Sequence, residues 1–296
     1  MNAAAPMTEA KKKYRFLFIQ PFELPRGSRF ADPYHSDALS KERRMRMNQL
    51  DIRPLLEDVE WDFHGGPVAP YGDWAVETRE EFCHVAAARL PIVREACESG
   101  KYNAIVLLGG GEPGFLESRE IARKYGIPVS SCAFSQMHIA SMLGNRFSVI
   151  DFAESHNMYY RDLVVRHGFA GRCASIRSVN YYHARPGYED EATMADEREK
   201  ALRGERSEAV ERAATEALAA IEEDGAEVIT FGCSDAFWLQ PFLQKRLAET
   251  GWEAPVLEGY SCAIALAKLY VDLGVDASGL TFPGDRPRRW RRKKVF

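Results

Sequence analysis

The sequence lacks an apolar run long enough to cross a membrane, so we expect no membrane partner. Its first residues lack the apolar core of a signal peptide, and we interpret 1–13 as a flexible tail. The formal net charge is only −4, which argues against a nucleic-acid partner. The exception is a basic C-terminal tail at 284–296, which we interpret as a solvated end or as a contact with a neighbouring subunit.

The six cysteines are scattered along the chain, at positions 83, 97, 132, 173, 233 and 262. None belongs to a CxxC motif, and none is paired with histidines at the spacing of a zinc site. We therefore expect a reduced, cytoplasmic protein without a metal site.

The acidic residue that a dinucleotide site requires is also missing. The segment GGGEPG at 109–114 fits the pattern G-x-G-x-x-G between a predicted strand and a predicted helix. A ribose-binding acid should follow about 20 residues later, but the next strand ends in serines and a cysteine. We therefore expect no nicotinamide cofactor. The glycines are better explained as a turn that lets a small ligand approach the backbone.

What the sequence does contain is a regular alternation of strand and helix patterns. The 296 residues, 46% hydrophobic and 28% charged, suit one large or two ordinary globular domains. We predict strands at 14–19, 59–63, 104–108, 127–129, 146–150, 173–179, 228–231 and 254–257. We predict helices at 40–56, 77–100, 113–126, 134–143, 155–168, 192–224, 241–247 and 261–273, and a long loop at 23–33 that could cover a site. This alternation predicts an α/β fold with parallel sheets.

An internal duplication divides the chain. Residues 105–112 align without a gap to 228–235, and each copy continues into a helix, a glycine and a Pro-Val strand. We therefore predict two similar α/β halves, 14–143 and 144–260, with the helix at 261–273 completing the first. The halves should face each other across a cleft, to which each contributes one loop at the end of a strand.

Cys233 is the side chain of greatest chemical interest in these loops. It follows a predicted strand and precedes a helix with Pro241 in its first turn, a position that can favour a thiolate. His156 and His64 also follow strands and are candidate partners for the thiol. The alternatives are a buried structural cysteine and ordinary loop histidines.

Four segments in order carry a resemblance to a known family: GEPG at 111–114, LGNRFSV at 143–149, RHGFAGRCAS at 166–175 and GAEVITFGC at 225–233. On these segments the chain resembles the aspartate/glutamate/hydantoin racemase superfamily, most closely its hydantoin and allantoin racemase branch. The resemblance implies two pseudo-symmetric flavodoxin-like halves with the active site in the cleft, a homo-oligomer, and catalysis without metal or organic cofactor. It also implies two thiols, one from each half, on opposite faces of a carbon next to a carbonyl.

The chain departs from that pattern in its first half. Cys233 matches the second thiol, whereas the first falls on Gly109 or Gly110. Gln20 and Phe22 stand where the branch usually has asparagines. Arylmalonate decarboxylase is similar in having a single cysteine, which implies loss of carbon dioxide followed by protonation from the thiol. That likeness is partial, because no hydroxyl residue directly follows the glycine.

We therefore predict a cofactor-independent enzyme that forms an enolate, with Cys233 as acid or base. Its partner would be a small molecule with an acidic carbon beside a carbonyl, either a carboxylate or a cyclic imide. Backbone N–H groups of residues 109–111 and of Ser234 would hold the oxyanion. The other candidates are the substrate contacts Gln20 and Phe22, and a second acid/base at His156 or Glu112.

The sequence leaves three reactions open: racemisation, decarboxylation and hydrolysis by the thiol. A non-catalytic binding protein is a further alternative. Because glycines surround the first-half position, we also expect room for a cysteine at Gly109 or Gly110.

Overall fold

A computed structural model describes residues 13–30, 52–189, 192–285 and 289. Within these residues, the first sheet contains β1 (Tyr14–Ile19), β2 (Val59–His64), β3 (Ala104–Leu107) and β4 (Val129–Ser131). The second contains β5 (Phe147–Asp151), β6 (Cys173–Ser178) and β7 (Val228–Phe231). All pairings are parallel, which confirms the predicted α/β fold.

The two sheets repeat one topology. Their strand orders are β2-β1-β3-β4 and β6-β5-β7, so the first strand of each sheet lies between the next two. A parallel bridge between Ile229 and Val256 extends the second sheet where β4 extends the first. Each sheet therefore has the strand order of a flavodoxin-like half. Both present the carboxyl ends of their strands to the region where ligands bind in such folds.

Nine helices connect and cover these strands in the described residues. They are α1 (Arg53–Leu56), α2 (Arg79–Glu98), α3 (Phe115–Arg123), α4 (Cys132–Leu143), α5 (Glu154–Arg166), α6 (Met194–Leu202), α7 (Glu208–Glu222), α8 (Gln240–Glu249) and α9 (Gly259–Leu273). A 3-10 helix, Ser234–Leu239, precedes α8. The fully buried strands β3 and β7 place the two loops of interest at the centre of the molecule.

Two predicted elements need correction. The helix predicted at 192–224 is two helices, because Gly204 adopts a positive φ of 75° and Ser207 caps a new helix by accepting from the Val210 N–H. The strand predicted at 254–257 is reduced to the Val256 bridge, next to a proline that has no N–H. The helix predicted at 241–247 is confirmed as α8, with Pro241 in its first turn, and the 3-10 helix lies between it and Cys233.

The remaining differences concern the ends of elements and the undescribed segments. The predicted helix 40–56 and the loop 23–33 extend outside the described residues, as do most of the two tails, 1–13 and 284–296. Helix α9 packs on β3, β4 and α4 of the first sheet, and its Ala263 carbonyl accepts a hydrogen bond from Ser130 Oγ at 2.8 Å. No helix among the described residues is both long and apolar enough to span a bilayer.

Candidate active site

A cavity of about 250 Å³ lies where the two strand-end loops meet. We call it the cleft cavity. It contains most of the site residues predicted from the sequence: Gln20, Phe22, Gly109, Gly110, Gly111, His156, Cys233 and Ser234. Glu112 and His64 are not among its lining residues. The strand ends of both sheets therefore converge on one space, as the duplication predicted.

Cys233 is the second residue after the end of β7 and is 8% exposed. Its backbone N–H donates to Asp151 Oδ1 at 3.0 Å, and its sulfur accepts the backbone N–H of Asp235 at 3.5 Å. Burial raises the pKa of the Cys233 thiol well above its ordinary value, and the nearby Asp235 and Asp151 carboxylates raise it further. The expectation that this position favours a thiolate is therefore wrong, because these effects outweigh one N–H donor.

Opposite the thiol, the glycine loop offers backbone only. Gly109 is the second residue after β3, the position that Cys233 has after β7, and it adopts a φ of 100°. A Cβ on Gly110 would lie 1.8 Å from the Gly232 carbonyl oxygen and 2.8 Å from Cys233 Cα. The two loops thus touch backbone to backbone. The expectation of room for a cysteine at Gly110 is wrong, because no side chain fits between them.

A buried arginine holds the glycine loop from behind. Arg89 of α2 is fully buried, and its guanidinium donates to the carbonyls of Leu108 at 2.9 Å and Pro113 at 3.0 Å, and also to that of Ile19. These carbonyls lie at both ends of the loop and at the end of β1. One rigid side chain therefore fixes the loop relative to the adjacent strand.

Glu112 belongs to this support and not to the cavity wall. It is 4% exposed and has an unusual φ of 44° for a residue other than glycine. Its carboxylate accepts from Ser131 Oγ at 2.5 Å and from the Phe134 N–H at 2.9 Å, and it pairs with His167 Nε2. The sequence-based proposal of Glu112 as a second acid or base is corrected accordingly, because both carboxylate oxygens are engaged in buried contacts away from the cavity.

His156 lies in the cavity wall beside a buried carboxylate. Its Nδ1 is 2.7 Å from Asp151 Oδ2, while the other oxygen of Asp151 accepts from the Cys233 N–H. His156 is 2% exposed and Asp151 is fully buried. The predicted histidine and the predicted cysteine are therefore brought together through one aspartate, which the sequence analysis did not single out.

His183 and Asp235 also line the cavity, although neither was predicted as a site residue. His183 Nδ1 is 3.5 Å from Asp235 Oδ2. His183 lies in the loop after β6, as His156 lies after β5. Its position after a strand could therefore have identified it as a candidate site residue. The loop is held across the cleft by Arg185, which donates to Glu77 at 3.0 Å and to Glu81 at 2.9 Å.

The polar groups of the cavity are complemented by an apolar wall. Phe22 and Phe82 belong to a buried cluster next to the glycine loop, and Leu24, Phe30, Val76 and Met194 also line the cavity. In the described part of the chain, no group of three or more His, Cys, Asp or Glu side chains is arranged to hold a metal ion. The site can therefore bind a small molecule with one apolar end and one end that needs hydrogen-bond donors.

Fold and cavity define a class of protein: two flavodoxin-like halves with a thiol and a glycine loop facing each other in the cleft. A family model described as Asp/Glu/Hydantoin racemase matches residues 76–267, well over half of the chain. The chain belongs to this family, and its enzyme class is that of the isomerases that racemise their substrates.

Its relatives agree with that assignment. It is 29% identical over 194 residues to hydantoin racemase from Pseudomonas sp. (strain NS671), covering 64% of this chain and 68% of that protein. To hydantoin racemase from Paenarthrobacter aurescens it is 28% identical over 196 residues, 65% of this chain and 73% of that protein. The structure of allantoin racemase from Klebsiella pneumoniae superposes with a TM-score of 0.66 at 21% identity, covering 93% and 95% of the two chains, and so shares the fold.

Proposed function

We propose that the protein is a cofactor-independent racemase of five-membered cyclic imides of the hydantoin type, with Cys233 as the acid/base on one face of the ring. The observation that carries the proposal is the position of Cys233 in the cleft cavity, against the glycine loop of the other half. The similarity to two hydantoin racemases supports the substrate class.

The cavity suits the charge that such a reaction develops. Removing the proton next to the carbonyl leaves an enolate, whose oxygen needs hydrogen-bond donors that are already in place. Residues 109–111 and Ser234 line the cavity, and their backbone N–H groups would serve this purpose. Gln20 offers a side-chain amide to the polar edge of the ring. Phe22 and Phe82 would pack on its substituent.

Cys233 would give a proton to the enolate in one direction and take it back in the other. Its raised pKa means that the neutral thiol is the state from which catalysis starts. Asp151 holds the backbone of Cys233, and through its second oxygen it fixes His156. In this proposal His156 is a positioning residue for the thiol loop.

A second candidate, decarboxylation of a malonate-type acid, is favoured by one observation. The first-half position that would carry a second thiol is a glycine, and Gly110 has no space for any side chain. An enzyme with one proton donor can protonate the enediolate that remains after carbon dioxide has left, and it would give one enantiomer.

The test uses single enantiomers of a 5-substituted hydantoin in deuterated water, followed by chiral chromatography and proton NMR. We expect inversion together with exchange of the proton at carbon 5, above the rate without enzyme, and unchanged after treatment with a chelator. Exchange on neither enantiomer, together with turnover of an arylmalonate to one enantiomer, would establish the second candidate instead. Ring opening without exchange would point to a thiol hydrolase, and tight binding without any reaction to a binding protein.

A further inference from the structure

Two aspartate–histidine pairs lie next to Cys233. Asp151 accepts the Cys233 N–H and holds His156 Nδ1 at 2.7 Å. Asp235, whose own N–H donates to the Cys233 sulfur, lies 3.5 Å from His183 Nδ1. Inverting a carbon centre requires a second acid/base in addition to the thiol. These two are the histidines that line the cavity beside Cys233 in the described residues.

The surroundings of the two pairs differ. His156 is 2% exposed, and its ring lies among Phe82, Phe152 and Tyr159 at centroid distances of 5.6, 5.3 and 6.3 Å. With a fully buried aspartate on its Nδ1, it is placed to hold the thiol loop. With a side chain 2% exposed, against 18% for His183, His156 exchanges protons with solvent less readily.

His183 has access to water, and one of its ring nitrogens lies near a carboxylate. Its side chain is 18% exposed and lines the cleft cavity. The ring packs against Phe152 with the centroids 4.5 Å apart and the planes tilted by 57°, and the His183 backbone N–H donates to Glu77 Oε1 at 3.2 Å. Nδ1 is the ring nitrogen that lies near Asp235, so a proton on Nδ1 would face the carboxylate and would leave Nε2 as the base.

We propose that His183, oriented by Asp235, is the second acid/base of the cavity and exchanges a proton with the reacting carbon on the face opposite Cys233. This inference rests on the proposed function. In one direction His183 Nε2 takes the proton, the C–H electron pair passes into the enolate, and the Cys233 S–H delivers a proton to the other face. The enzyme then holds an imidazolium and a thiolate, which carry out the reverse reaction with the roles exchanged.

The sheet topology and the state of the thiol support this assignment. Strand β5 lies between β6 and β7, so the strands that precede His183 and Cys233 are about 10 Å apart. Both residues follow strands of one sheet and line the same cavity. The raised pKa of the buried Cys233 thiol fits as well, since a neutral imidazole facing a neutral thiol needs no prior ionisation.

The experiment compares His183→Gln with the parent and with His84→Gln, a matched change at an exposed histidine on α2. Each enantiomer of 5-benzylhydantoin is followed in deuterated water for inversion and for exchange at carbon 5. We expect His183→Gln to lose inversion by at least about 100-fold while one enantiomer still exchanges with retention through Cys233. Cys233→Ser should spare exchange only in the other enantiomer, and His84→Gln should match the parent.

Inversion by His183→Gln within a few-fold of the parent would overturn the inference, as would equal loss of exchange in both enantiomers. A parent that neither inverts nor exchanges the hydantoin would instead overturn the proposed function. Nitrogen-15 NMR of the imidazole rings then tests His183 independently of turnover. We expect the Nδ1–H tautomer, changed in Asp235→Asn. A proton on Nε2 in the parent would overturn the inference.

Discussion

The two strand-end loops of the cavity occupy equivalent places in the duplicated fold and differ in what they contribute. The first, residues 109–111, consists of glycines whose backbone meets the opposite loop directly. The second, Cys233 to Asp235, carries a thiol and a carboxylate and lies beside two histidines. The first loop thus presents backbone only, whereas the second carries titratable side chains.

Their supports differ in the same way. The glycine loop is fixed by two buried side chains behind it, Arg89 and Glu112. Both bind nearby backbone groups, and neither lines the cavity. The thiol loop is fixed by Asp151, which also binds a cavity histidine. The two copies of the fold therefore place a loop at the same position, although the backbone differs, with a φ of 100° at Gly109 and −79° at Cys233, and only the second loop carries a thiol.

The largest effect on the difference between the two loops is expected from removal of the thiol. Cys233→Ser should lower inversion of a hydantoin by about 1000-fold, because a hydroxyl is far less acidic than a thiol. Folding should be retained, since the two side chains have a similar shape. The measurement is turnover by chiral chromatography beside a thermal unfolding curve. Activity within a few-fold of the parent would show that another residue transfers the proton.

The reverse test adds a side chain to the glycine loop. Gly110→Cys should destabilise the protein by more than about 3 kcal/mol, because its Cβ would overlap the Gly232 carbonyl oxygen. Gly109→Cys is the matched comparison. Its Cβ would lie 3.0 Å from Pro21, and its φ of 100° costs about 2 kcal/mol for a residue other than glycine. Denaturant unfolding of both should rank them in that order. An equally stable Gly110→Cys would mean that the two loops are not in contact.

Much of this comparison could be predicted from the sequence. The hydrophobic patterns of 14–19, 104–108 and 228–231 gave strands at β1, β3 and β7. The gapless repeat then predicted that the loops after β3 and β7 would meet. Local pattern was sufficient there because a strand buried on both faces has a distinctive composition.

What the sequence did not reveal depends on contacts between distant segments. His183 lies five residues beyond β6, and the course of its loop depends on Arg185 reaching Glu77 and Glu81. The role of Glu112 was misjudged for a similar reason, because its partner His167 is 55 residues away in the chain. The direction of the Cys233 pKa likewise depends on burial, which only the packed structure gives.

A smaller effect is expected from loosening the support of the glycine loop. Glu112→Gln should lower the free energy of unfolding by about 2 kcal/mol, because a buried charged hydrogen-bond network loses its charge. Turnover should fall by less than about tenfold, which separates support from chemistry. His167→Gln is the matched change at the other end of the pair and should give a similar loss of stability. A fall in turnover as large as that of Cys233→Ser, without loss of stability, would return Glu112 to the reaction.

The smallest effect concerns the ionisation of the thiol itself. At pH 7.5 iodoacetamide should modify the exposed Cys83 at least about tenfold faster than Cys233, because Cys233 is buried and its pKa is raised. The sign of the pH dependence follows: modification of Cys233 should accelerate as pH rises above the ordinary thiol range, since only then does the thiolate accumulate. Peptide mapping by mass spectrometry after timed quenching gives both rates. If Cys233 reacted first at pH 7.5, with a rate already independent of pH, its thiolate would be stable in the cavity. Proton transfer would then start from an ionised sulfur facing a glycine wall.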